Sequence, residues 1–166
     1  AGEITPLAAM VRPHVAVVTT VAPVHLEFFR DVDAIAEAKA EIFSGLEPGG
    51  VAVVDGDVPQ AGILIAAATD HGARVVRFGI GEGLEAHLVR ASLQADNSTV
   101  MATILGDAIT YKIGSPGRHV VKNSLAVLAT AAAVGADLAR AGLALADMTP
   151  PKGRGERHTL HLGHGE

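Results

Sequence analysis

The sequence predicts an α/β domain, a mostly parallel sheet with helices on both faces and an antiparallel β-hairpin layer at one edge. Through the first half, short β-branched runs alternate with stretches of helical periodicity, as βαβ units require. From residue 85 onward, strand-like runs follow one another with only turn dipeptides between them, as hairpins require. The chain of 166 residues is 49% hydrophobic and 19% charged, enough for one compact domain with a core of its own.

The elements follow in order. "GEI" at residues 2–4 leads into a short helical run, and "HVAVVTT" at 14–20 reads as the first strand. A loop holding Pro23 then enters a helix from about Asp31 to Leu46, which "EPGG" stops, because Pro48, Gly49 and Gly50 cannot continue it. "VAVV" from Val51 begins a buried second strand. An alanine-rich helix around residues 60–71, a turn at Gly72 and "RVVRF" complete a third cycle. "AHLVRASLQ", "STVMATIL" and "AITYKIG", broken by "ADN" and "GD", form the hairpin layer. "SPGRHVVKN" leads into a long helix over roughly Lys122 to Arg140, with Leu125, Leu128, Ala129 and Ala132 on one face. In a parallel sheet of this kind, ligands bind beyond the carboxyl ends of the strands.

Composition excludes several classes. The net charge of -5 and the 3% aromatic content lack the basic, stacking surface that nucleic acid requires. With no cysteine there is neither a disulfide framework nor a thiolate zinc site, in keeping with a reducing compartment. The N-terminus has no basic segment running into an apolar core, and the longest apolar runs fall far short of a membrane span. The expectation is a cytoplasmic protein without membrane insertion.

One helix carries a contradiction. At about 100° per residue, Val32, Ile35, Ala36, Ile42, Phe43 and Leu46 form an apolar stripe with Asp33, Glu37 and Glu41 opposite, and Lys39 falls inside the stripe. A lysine can lie along apolar surface and send its ammonium to water. Buried, it must find an anion, act as a base or be modified, since burial disfavours the charged form. A neutral amine also takes up carbon dioxide, and the resulting carbamate offers the hard oxygen donors that magnesium accepts.

His25, just past the first strand, reads either as a structural hydrogen-bonding residue or as a second group at the crevice that Lys39 approaches. Glu3 is a helix-start carboxylate, and Asn123 a residue in the first turn of its helix, each explicable by capping alone. Arg154, between two glycines, suits phosphate recognition and plain surface equally. Two other features carry little. "FGIGEGLE" at 78–85 follows a strand, but Leu84 stands where a dinucleotide fingerprint has its third glycine, and strand follows instead of helix. His158, His161 and His164 match no metal-ligand spacing.

Taken together, "GEI", "RPHVAVVTTVAPVHLEFF", "IAEAKAEIFSGLEPGGVAVV", "PGRHVVKNSLAVLA" and "PPKGRGER" resemble, in order and spacing, the central domain of the Mur ligases, with the branch that adds D-alanyl-D-alanine the nearest match. The resemblance covers nearly the whole chain. It implies a fold like that of phosphate-loop NTPases. It also implies an ATP-dependent ligase of cytoplasmic peptidoglycan synthesis that joins D-alanyl-D-alanine to UDP-N-acetylmuramoyl-tripeptide through an acyl phosphate, in a monomeric parent enzyme. By position it makes Glu3, His25 and Lys39 magnesium-binding residues, with Lys39 carbamoylated and His25 and Lys39 catalytic. Asn123 becomes a residue beside the adenine, and Arg154 a residue reaching the phosphates of ATP.

This chain departs from the pattern at Thr20, at Val120 and in "VDGDVP", where relatives more commonly carry asparagine. No G-x-x-x-x-G-K-[ST] phosphate loop occurs in it. The expectation is therefore a partial central domain over 1–166, with the phosphate loop upstream, the C-terminal domain downstream, and negligible ATP affinity when alone. The alternative is a non-catalytic binding or scaffold module derived from such a ligase.

Overall fold

The computed structural model describes residues 2–23 and 29–148. They form a six-stranded sheet in the order β1-β2-β3-β4-β5-β6. β1 (Val15–Val18), β2 (Val51–Asp55) and β3 (Arg74–Gly79) are parallel, with Val18 opposite Val54 and Asp55 opposite Phe78. β2 is buried at all five residues, as a strand covered on both faces must be. Val51 and Val53 turn to one core and Ala52 and Val54 to the other.

The second of these cores lies under α2 (Val32–Ala40) and α3 (Ala61–Asp70), where Ile35, Ala36, Phe43, Leu64 and Ala68 close on Ala16 and Val18. Asp31 starts α2, its carboxylate accepting the Ala34 amide. The predicted Asp31–Leu46 helix is in fact two segments, since α2 passes at Glu41–Gly45 into a 3₁₀ turn. The preceding α1 (Ile4–Val11) packs against that turn.

The first core lies under α4 (Arg118–Ala133) and α5 (Leu138–Ala144), where Leu125 and Leu128 meet Val53, Phe78, Val100 and Ile113. The single helix expected over Lys122 to Arg140 starts four residues earlier and breaks. Gly135 adopts φ 76°, a left-handed conformation that ends a helix at little cost only for glycine, and Asp137 caps α5 through the Arg140 amide. Asn123 accordingly lies past the first turn of α4, not in it.

β4 (Ala86–Leu93), β5 (Ser98–Ile104) and β6 (Asp107–Ile113) are antiparallel to one another, as expected. They extend the main sheet at its edge, because Ala86 and His87 pair parallel with Phe78 and Gly79. Only those two residues pair with β3, so the rest of β4 runs beyond the carboxyl end of β3. Tyr111 fastens this extension to α4, its hydroxyl 2.7 Å from that of Ser124.

Candidate functional site

The carboxyl ends of β2 and β3 and the start of α4 meet at one rim. Asp55, the last residue of β2, is 1% exposed and receives the Lys122 ammonium at 2.7 Å. Asp57 receives the same ammonium at 3.1 Å and the backbone amides of Ile80 and Gly81 at 2.8 and 3.0 Å. Burial alone would raise the Asp57 carboxyl, but these amides and Lys122 outweigh it and hold it below its usual value. Lys122 is pulled down by burial and raised further by its two carboxylates, so it stays charged. The glycine-containing loop after β3 thus spends its amides on an internal carboxylate.

Where β4 projects past β3 it walls a cavity of 350 Å³ with the start of α4. Ile80, Leu88, Ala91 and Leu93 make an apolar floor, and Arg118, His119 and Lys122 line the other side. Asn123 follows Lys122 and is exposed.

The second locus joins α1 to the Lys39 helix. Lys39 is half-buried, four residues after Ile35 and three before Ile42, both packed in the β1 core. That spacing puts it on the same side of α2 as those two residues. Glu3 precedes α1, is exposed, and makes no side-chain cap. Glu41 supplies the cap instead, its carboxylate accepting the amides of Gly2, Ile4 and Thr5 and the Thr5 hydroxyl. The Gly2 amide leads the interactions that hold the Glu41 carboxyl below its usual value.

The structure therefore connects the Glu3 turn to the Lys39 helix and sets Asn123 at the separate rim. His25, Arg154 and the three terminal histidines lie outside the described residues. No cluster of three metal-binding acidic, histidine or cysteine side chains occurs among the described residues. Sequence reasoning missed Asp55, Asp57, Lys122 and Glu41. Two aspartates closing a buried strand were a usable signal. Nothing in the local sequence of α4 points Lys122 at them, and Glu41 sits on the polar side of its wheel like any solvated carboxylate.

The description Mur ligase middle domain matches residues 1–131. The UDP-N-acetylmuramate--L-alanine ligase of Mycolicibacterium vanbaalenii is 35% identical over 131 residues, covering 76% of this chain and 27% of that protein. The enzyme of the same name from Mycobacterium tuberculosis strain H37Rv is 34% identical over 133 residues, with 75% and 27% covered. Among solved structures, MurF from Acinetobacter baumannii superposes with a TM-score of 0.84 at 28% identity, over 92% of this chain and 33% of that one. MurF from Thermotoga maritima in complex with ADP gives a TM-score of 0.78 at 24% identity, over 92% and 34%, a likeness of fold. The chain thus spans about a third or less of each relative. With that agreement over most of its length, the chain belongs to the Mur ligase middle-domain family.

Proposed function

We propose that this chain is the central domain of an ATP-dependent, amide-forming ligase that acts on a UDP-N-acetylmuramoyl substrate in cytoplasmic peptidoglycan precursor synthesis. The observation that carries the reading is the family match over residues 1–131. In this reaction ATP phosphorylates a substrate carboxylate, and an amine displaces phosphate from the acyl phosphate by way of a tetrahedral intermediate.

Two amine acceptors are in play. The structural likeness to a UDP-N-acetylmuramoylalanyl-D-glutamyl-2,6-diaminopimelate--D-alanyl-D-alanyl ligase, at a TM-score of 0.83, supports D-alanyl-D-alanine joined to UDP-N-acetylmuramoyl-tripeptide. The 35% identity to an L-alanine ligase supports L-alanine joined to UDP-N-acetylmuramate.

Magnesium suits the residues. Among the described residues the Glu3 carboxylate and the Lys39 amine engage no hydrogen-bond or ion-pair partner, which leaves both available to a cation. Lys39 as an ammonium cannot ligate. Its neutral amine attacks carbon dioxide, forming an N–C bond and releasing a proton, and so gains two oxygen donors. In this reading Glu3, carbamoylated Lys39 and His25 would hold the ion, which would supply electrostatic stabilisation of the charge that develops in phosphoryl and acyl transfer. Asn123 orients the base beside the α4 rim, and Arg154 reaches the phosphates.

The test is ADP release by the polypeptide in which this chain is encoded, given ATP, magnesium and either substrate pair. Turnover with one pair, lost on Lys39→Ala, supports the reading. Absence of turnover with both overturns it.

A further inference from the structure

Glu41 is half-buried at the start of the 3₁₀ turn that packs against α1, and it accepts three amides and a hydroxyl from a segment 36 to 39 residues away. Those amides belong to Gly2, Ile4 and Thr5, which flank Glu3 on both sides. The Ile4 and Thr5 amides are among the unsatisfied donors at the start of α1, and Glu3 itself does not cap them. Glu41 lies two residues past Lys39, where α2 becomes a 3₁₀ turn. The contact is close along its length. A Cβ at Gly45, in the same turn, would lie 2.3 Å from the Ala8 backbone, so α1 and the turn are pressed together at both ends.

From this we infer that Glu41 is a positioning residue, which fixes the Glu3 turn to the Lys39 helix so that the two side chains are presented by one rigid unit. The inference rests on the proposed roles of Glu3 and Lys39 for its functional meaning. Its geometry stands on the hydrogen bonds alone. Because Glu41 spends its carboxylate on backbone amides, it orients Glu3 and leaves the cation to Glu3. Partners that orient metal ligands in this way typically contribute about 10–100-fold to metal affinity.

Amide hydrogen exchange and Mn²⁺ binding, read by water-proton relaxation in bicarbonate buffer, test this on the 166-residue chain. In Glu41→Ala, the Ile4 and Thr5 amides are expected to exchange at least about tenfold faster while Val53 in β2 stays protected. Mn²⁺ affinity is expected to fall by about tenfold or more, as in Glu3→Gln, and the double variant should lose little beyond Glu3→Gln alone. Glu41→Gln, which keeps one acceptor oxygen, should retain the fold and lie between wild type and Glu41→Ala on both measures. It decides the matter if the alanine variant unfolds. Unchanged exchange at Ile4 and Thr5, or losses of affinity that add independently, would overturn the inference. If Glu3→Gln and Lys39→Met bind Mn²⁺ like wild type, the metal reading fails, and the exchange data still decide whether Glu41 holds the turn.

Discussion

Lys122 reaches from α4 to within 2.7 Å of Asp55 at the end of β2, where the carboxylate is 1% exposed. One ion pair thereby joins the strand end to the helix that begins the rim. Removing the cation while leaving the buried anion is the costly change, about 3–5 kcal/mol for an uncompensated buried charge. Lys122→Met should therefore lower unfolding free energy in urea by about that amount. Asp55→Asn combined with Lys122→Met should recover most of the loss, and equal losses in the single and double variants would contradict the pairing.

Glu85 accepts the Arg77 guanidinium at 2.6 and 2.9 Å and the Arg77 amide at 2.8 Å. The Arg77 side chain chiefly holds the Glu85 carboxyl down at about 2, from an ordinary 4.5. The group binds fewer protons folded than unfolded, so its stabilisation is complete above about 4.5 and fades as pH falls toward about 2. Glu85→Gln should flatten the decline of stability between those values, measured by denaturant titration at a series of acidic pH values. Because the pair is partly solvent-exposed, the effect should shrink with added salt.

The chain has one tyrosine and no tryptophan, which isolates Tyr111 spectroscopically. Burial pushes its hydroxyl up to about 12, although its hydrogen bond to Ser124 opposes the shift. An ultraviolet titration should find tyrosinate forming near that value in the folded chain and near 10.0 after unfolding. Between the two, the folded state holds more protons, so stability should fall as pH rises. Tyr111→Phe should remove that dependence and cost about 1 kcal/mol at neutral pH.

Gly45 makes a steric prediction. Its missing Cβ leaves room for the Ala8 carbonyl carbon and oxygen, each 2.3 Å from where that atom would stand. These are backbone atoms that cannot step aside, so Gly45→Ala should cost about 1–3 kcal/mol as an overpacked contact. A melting curve measures it, and a melting temperature equal to wild type would mean the two elements are not pressed together in solution.

ATP should not bind this chain by itself. It contains no phosphate-loop sequence, and the glycine-containing loop after β3 already gives its Ile80 and Gly81 amides to Asp57. Calorimetry should register no binding up to millimolar ATP.

The sequence alone determined the alternation of strands and helices, the three antiparallel runs and the family. Those features are written in local periodicity and in ordered motifs, which neighbours along the chain suffice to express. Tertiary structure decided where α4 begins and breaks, that β4 runs on from β3 as part of the same sheet, and which charges meet. Asp55 with Lys122 and Glu41 with the Gly2–Thr5 turn are pairings across 67 and 36 to 39 residues. Such partners are chosen by how packed elements bring distant side chains together. No local pattern around Lys122 or Glu41 distinguishes either from an ordinary charge facing water.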